Sequence, residues 1–228
     1  MLTFLSVINI MLITSTNYFL KLVTNILLIR GKRMKIKNLE VYEKCLIVVD
    51  MVNGFVREGV LHDEAIARTI PSQTKLIKEY QKKRELVVFI KDSHDEDAVE
   101  FRRFGNTKHC LAESHESELV DELKGFEDQD NTISIKKNST SFMETGEFRS
   151  LVSSLKGLRE VEMVGCCTDI CVCNGAIALA NYFDQHNRDV LITIVEDGVE
   201  TYDSPTHNRA EYSKAAKVLM KQQGINFK

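Results

Sequence analysis

From residue 44 onward, two patterns of apolar and polar positions alternate along this chain. Short apolar runs rich in β-branched residues fall at Cys45–Asp50, Leu86–Lys91, Val161–Gly165 and Val190–Val195. Runs of this kind are expected of strands buried on both faces of a parallel sheet. Thr132–Lys136 alternates instead and reads as a further strand. Segments of helical period lie between them. Ser72–Lys83 follows Pro71 and puts Leu76, Ile77 and Tyr80 on one face. Ser114 opens a segment with Glu116 and Glu118 early and Leu119, Val120 and Leu123 apolar, an order that suits an N-cap and the helix dipole. Phe148, Leu151, Val152 and Leu155 recur at i, i+3, i+4 and i+7. Ile170–Phe183 is a largely apolar helix, and Tyr212, Ala215, Ala216 and Leu219 mark the last one, stopped by Gly224. The alternation predicts an α/β domain, three layers α/β/α around a mainly parallel central sheet.

The first 33 residues break the pattern. They carry Lys21, Arg30, Lys32 and Arg33 and no acid, so the chain's net charge of -3 hides a body, 34–228, at -7. Residues 1–30 are about long enough for a membrane span, and the basic run from Arg30 to Lys37 would keep the body in the cytoplasm. Against an anchor, Ser6, Asn9, Thr14, Ser15, Thr16, Asn17, Lys21, Thr24 and Asn25 interrupt any clean apolar run. A signal peptide lacks its basic start and small-residue cleavage site. A packed extension is a further reading. The favoured one is that translation starts at Met34, because purine-rich codons can encode Arg30-Gly31-Lys32-Arg33 as a translated ribosome-binding stretch would. The expected organisation is a leader over 1–33 and one domain over 34–228. Without a basic excess, a nucleic-acid groove built on bulk charge is excluded. Six Cys without regular spacing do not make a secreted disulfide framework.

In parallel sheets, sites form at the carboxyl ends of strands. The strongest candidate there is Gly165-Cys166-Cys167-Thr168-Asp169-Ile170-Cys171-Val172, which follows a strand and opens a helix. Cys171 falls in the first helical turn, where free N–H groups and the dipole favour a thiolate and can hold an oxyanion. The bland alternative is a set of small buried Cys. A metal cluster is disfavoured because the spacing is not C-x2-C. Asp50 and Lys136-Lys137 end strands that can flank this turn, as base and cation. Asp92 and His94 follow the second strand, with His109 fifteen residues on. This oxygen and nitrogen set suits Zn, Mn or Fe, and Glu100 is a candidate fourth ligand. Asp95, Glu96 and Asp97 read as a solvated run. His62, His115, His186 and His207 read as surface residues or turn anchors.

Taken together, these residues resemble the isochorismatase-like cysteine hydrolases, and within them the nicotinamidases. The resemblance runs from about Lys44 to Gly224. It implies a Rossmann-like fold and assigns Asp50 as base, Cys171 as nucleophile, and Asp92, His94 and His109 as ligands of a divalent metal, Zn first. It also implies a cis peptide between Cys166 and Cys167, with the Cys167 and Cys171 backbone N–H groups as oxyanion hole. Phe55 is expected as an aromatic wall of the substrate pocket. The family's Lys is ambiguous here. Strand alternation puts Lys137 on the face of Ile133 and Ile135, whereas family spacing counted back from Thr140 and Phe142 selects Lys136, which is preferred. Val52 and Gly54 depart from the family, which often has Gln and an acid there. The implied reaction is hydrolysis of nicotinamide to nicotinate and ammonia through a Cys thioester, in cytoplasmic NAD salvage. The expected partners are a small carboxamide and further copies of the chain as a homo-oligomer, with no nucleic acid, and a membrane only if residues 1–30 anchor. A family hydrolase of another carbamoyl or ureido compound is the alternative. A non-catalytic binding protein on this fold is a third reading.

Overall fold

Among the described residues, six strands build one sheet: β1 (Lys44–Val49), β2 (Leu86–Asp92), β3 (Thr132–Lys137), β4 (Glu160–Gly165), β5 (Leu191–Val199) and β6 (Asn226–Phe227). Their order is β3-β2-β1-β4-β5-β6, and every neighbouring pair is parallel. The helices are α1 (Asn53–Val56), α2 (Glu64–Ala67), α3 (Ile70–Lys83), α4 (Asp121–Lys124), α5 (Gly146–Ser154), α6 (Cys173–Gln185) and α7 (Arg209–Gln222). The computed structural model describes residues 39–228, so the expectations about residues 1–33 and Met34 lie outside the described residues. Among the described residues, no helix is long and apolar enough to cross a membrane.

The apolar runs form central strands for the reason their pattern gives. Every residue of Cys45–Val49 and Leu86–Ile90 is buried. Successive side chains of a strand point to opposite faces, so both faces of β1 and β2 are covered. On one face, Leu46, Val48, Val87 and Phe89 share a cluster with Ile66, Ile70, Ile77 and Tyr80. Full burial of each such aliphatic or aromatic side chain stabilises by about 1.5–3 kcal/mol. Elsewhere α5 and α6 meet at Phe142, whose ring lies 4.6 Å from that of Phe148. It also packs so closely on Gly175 that a Cβ there would come within 2.1 Å.

Two local expectations change. The segment after Ser114 is not one helix: a short 3-10 turn at His115–Ser117 precedes the four-residue α4. The backbone between them is used elsewhere, because Glu118 O accepts from Asn53 N at 2.9 Å and Val120 N donates to Met51 O at 3.1 Å. These bonds tie the loop after β1 to this segment and remove it from a helical ladder. Beyond Gly224, the chain adds β6 at the sheet edge, too short to show a period.

The strand order runs outward in both directions from β1 and β4. This is the topological switch point at which open α/β sheets place their sites. Gly165 makes the two strands close tightly there. Its φ is +121°, and a Cβ would lie 2.0 Å from Val49 O, so only glycine fits the end of β4.

Candidate active site

Four strand ends deliver the site. Asp50 is the first residue past β1 and is fully buried with φ +51°. This left-handed backbone is uncommon outside glycine, though Asp tolerates it better than most residues. It is held by Asp50 N donating to Ile90 O at 2.9 Å and by the Cys166 thiol donating to Asp50 O at 3.1 Å. β2 ends in Asp92, and β3 ends in Lys137, paired with Asp92 in the parallel register. The turn after β4 carries a cis peptide between Cys166 and Cys167, and the π-helical turn Thr168–Val172 then leads into α6. Cys171 is on that turn, buried at 7% exposure.

Lys137 is the hub of this arrangement. Its Nζ lies 2.8 Å from Asp50 Oδ2, 2.6 Å from Asp92 Oδ1 and 3.5 Å from Cys171 Sγ. The preference for Lys136 is therefore corrected. Alternation persists to the last residue of β3, so Ile133, Ile135 and Lys137 are buried while Lys136 is exposed. Register decided the matter where counting back across the Asn138–Ser141 loop did not.

One amine shared by two carboxylates divides their acidities. Burial raises both. At Asp92, Lys137 and hydrogen bonds from His109 and His94 outweigh it and hold the carboxyl below its ordinary range. At Asp50, burial prevails over Lys137, Asp92 adds repulsion, and the carboxyl is pushed up to about 6. Lys137 is itself pushed up: burial opposes its charge, but Asp50, Asp92 and Cys171 around it prevail. Burial pushes the Cys171 thiol well above its ordinary value despite the pull of Lys137. The expected depression by the helix start is thus outweighed, and the thiol is protonated at rest. A carboxylate poised near neutrality beside it is the group that can take this proton.

Asp92, His94 and His109 come together as expected, all buried, with one ligand atom from each within 4.8 Å of the others. His94 Nε2 is 2.9 Å and His109 Nε2 is 3.5 Å from Asp92 Oδ2. The outer ring nitrogens face oxygen: His94 Nδ1 is 3.1 Å from Asn138 Oδ1, and His109 Nδ1 is 3.0 Å from Thr107 O. Asn138 is itself oriented, because its amide donates to Asp95 Oδ2 and its oxygen accepts from Asp95 N. With the ring protons on these outer nitrogens, both Nε2 lone pairs would point inward, and an ion bound there would replace the Nε2 contacts to Asp92. This outer support is what a divalent cation needs from its His ligands. The donor set fits such an ion. Glu100 is not in this trio; its carboxylate accepts from Thr140 N at 2.7 Å and lies in the cleft wall.

A cleft of about 440 Å³, partly open to solvent, leads to Cys171 and is lined by Phe55, Leu61, Phe104, Ile170 and Tyr202 together with Asp92, Glu100, His109 and Cys167. Phe55 stands in the wall as expected, its ring 5.8 Å from that of His109. Phe104, Leu61 and Tyr202 are on loops without a period, and nothing local marked them. Asn138 had a signal, a polar residue directly after the buried Lys. His207 is buried, not superficial, and pairs with Asp169 at 2.8 Å. Gly54 is explained by space: a Cβ there would come within 2.6 Å of Cys110 Sγ, leaving no room for an acid.

Known proteins match this chain over the same span. The Isochorismatase domain model matches residues 44–224. Nicotinamidase 1 of Arabidopsis thaliana is 30% identical over 180 residues, 71% of this chain and 71% of that protein. The structure of N-carbamoylsarcosine amidase from Thermoplasma acidophilum superposes with a TM-score of 0.65 at 26% identity, covering 82% of this chain and 95% of that one. The pyrazinamidase of Pyrococcus horikoshii in complex with zinc superposes with a TM-score of 0.64 at 26% identity, covering 82% and 98%. Parallel sheet, strand-end carboxylates and the Cys171 turn all lie within the matched residues, and the chain belongs to the isochorismatase family.

Proposed function

We propose that the chain is a cysteine-dependent nicotinamidase, hydrolysing nicotinamide to nicotinate and ammonia. The observation that carries this reading is the cluster at Lys137, which puts a poised base, a cation and a thiol within reach of one another beside the Asp92–His94–His109 trio. The 30% identity to an Arabidopsis nicotinamidase supports it. Asp50 takes the Cys171 proton, and Sγ attacks the carboxamide carbon. Negative charge on the carbonyl oxygen is held by the Cys167 and Cys171 backbone N–H groups, with Lys137 neutralising the carboxylates around the thiolate. The C–N bond breaks and Asp50 returns the proton to the departing ammonia. Asp50 then deprotonates a water that attacks the thioester, and the acid leaves with the thiol restored. Asp92, His94 and His109 would hold a divalent ion, zinc by preference, which would supply Lewis-acid chemistry in the pocket. Phe55 and the other apolar walls suit a flat ring. In this reading the enzyme works in the cytoplasm, in NAD salvage, as a homo-oligomer.

A second reading follows from the likeness to an N-carbamoylsarcosine amidase: the same machinery acting on a carbamoyl or ureido compound. Ammonia release decides between them, measured on nicotinamide and on a carbamoyl amino acid, with metal-loaded protein, chelated protein and Cys171→Ala. Release from nicotinamide that is lost on chelation and absent in Cys171→Ala is expected. Release from the carbamoyl compound alone selects the second reading, and activity surviving Cys171→Ala rejects the mechanism.

A further inference from the structure

Asp169 lies between the two cysteines that the proposed reaction uses, one residue after Thr168 and two before Cys171. It is half-buried, with its side chain 8% exposed, and its solvent-shielded Oδ1 makes no hydrogen bond among the described residues. Its Oδ2 is 2.8 Å from His207 Nε2. The other ring nitrogen, Nδ1, is 3.1 Å from Tyr202 O. A carboxylate and a carbonyl oxygen both accept, so a neutral imidazole donates to one of them at a time. His207 is also clamped by rings. Tyr202 stacks on one contact at 4.0 Å and 13°, and Tyr212 of α7 stacks at 3.9 Å and 29°. Tyr202 in turn lines the cleft that leads to Cys171.

The loop carrying Tyr202 and His207 is fixed at both ends. Arg209 Nε donates to Thr201 O at 2.8 Å, and its guanidinium pairs with Asp63 at 2.5 Å. Asp203 N donates to the same Asp63 carboxylate at 2.9 Å. Near the nucleophile turn, Thr168 N donates to Glu200 O at 3.1 Å. The loop is thus a rigid brace, and His207 is its side-chain link to the turn.

We infer that His207 is a positioning residue that couples two tasks through one ring: through Asp169 it sets the nucleophile turn, and through Tyr202 it sets the wall against which the substrate lies. Neither task needs His207 to touch the substrate. Without His207 the Asp169 carboxylate on the nucleophile turn would lose its side-chain partner, while the Tyr202–His207 loop would keep its backbone and Arg209 anchoring. The arrangement places a device for aligning thiol and substrate where a plain structural contact would not need two ring stacks and a contact to a carboxylate.

This inference rests on the proposed hydrolysis, so wild-type, metal-loaded protein is assayed first on nicotinamide; its inactivity would overturn that function and not the coupling. With an active wild type, kcat and KM are compared for His207→Gly, Asp169→Asn and the double variant, each checked for an unchanged circular dichroism spectrum. His207→Gly should lose about 10- to 100-fold in kcat/KM, the scale of a misplaced reacting group, with kcat lowered and KM raised. Asp169→Asn should lower kcat and leave KM near wild type. The double variant should fall no further than His207→Gly, because the two residues act as one unit. Added imidazole should restore kcat in His207→Gly by occupying the space between the two tyrosine rings. Wild-type kinetics in His207→Gly, losses that multiply in the double variant, or a folded variant that imidazole does not rescue would each overturn the inference. Should His207→Gly not stay folded, His207→Gln decides: it keeps a side-chain donor for Asp169 but no ring, so retained kcat with raised KM is expected, and unchanged KM overturns it.

Discussion

The two ends of the sheet treat charge in opposite ways. At the amino end, Lys44 pairs with Glu160, one cation to one carboxylate, with side chains 48% and 23% exposed. At the carboxyl end, Lys137 faces Asp50 and Asp92, and the amine and the Asp50 carboxylate are 0% exposed. Water screens the first set and holds up little of the fold through it. The second set has no water to lean on, so each member depends on the others for its charge. Balanced pairs in solvent are how a fold manages its surface. An unbalanced buried trio, two acids to one base, leaves one acid ready to take a proton.

The largest effect expected from that contrast follows the loss of Lys137. Lys137→Met leaves two buried carboxylates without their cation and should cost about 3–5 kcal/mol of stability, read from urea unfolding, together with the loss of nicotinamide hydrolysis. Lowering the pH should return part of that stability, because protonation of Asp50 and Asp92 removes the unpaired charge. Lys136→Ala, one residue away on the exposed face of β3, should stay within about 0.5 kcal/mol of wild type. Equal costs for the two lysines would break the contrast between the ends and the placement of the site.

That pair of residues also shows what was legible in the sequence. The sheet was legible because burial on both faces leaves unbroken apolar runs, and Asp50, Asp92, His94 and Cys171 followed from looking just past them. Lys137 was visible in the alternation of Ile133 and Ile135, but the strand continues one residue beyond its apparent end because Lys137 pairs with Asp92 across β2. Spacing across the next loop pointed one residue short. Tyr202 and Phe104 were not legible at all. They reach the cleft from irregular loops, and their neighbours are distant in sequence. His207 carried no local sign of its partner Asp169, 38 residues earlier.

A smaller effect separates activity from stability at the same trio. The Asp50 carboxyl is raised to about 6, first by burial and then by Asp92, against the pull of Lys137. Below that pH it holds a proton and cannot accept the thiol's, so kcat/KM should fall about tenfold for each unit below about 6 and level off above it. Stability should move the other way. A carboxyl whose folded pKa is above its unfolded value of about 3.9 adds stability that is complete below about 4 and is lost as pH rises through about 6. Each unit of that window corresponds to about 1.4 kcal/mol. Urea midpoints of wild type and Asp50→Asn across pH 4–7 isolate this contribution, because the Asn variant has no carboxyl to titrate. Parallel pH curves for the two proteins would show that Asp50 is not the poised acid.

The smallest effect is expected at the amino end. Lys44 and Glu160 each stabilise the other's charged form through their hydrogen bond, as the raised lysine and lowered carboxyl reflect. Yet with the lysine side chain 48% exposed, solvent takes up most of what the pair would lose. Lys44→Ala, Glu160→Gln and their double variant should each shift the unfolding free energy by less than about 1 kcal/mol. The coupling from the double-mutant cycle should shrink further in 1 M salt, where the screening length falls to about 3 Å. Hydrolysis should be untouched, because Asp50 follows β1 at the opposite end, six residues and the full length of the strand away from Lys44. A coupling as large as the Lys137 cost, or one that ignores salt, would mean that the amino end is as dependent on buried charge as the carboxyl end, and that charge balance does not distinguish the site from its scaffold.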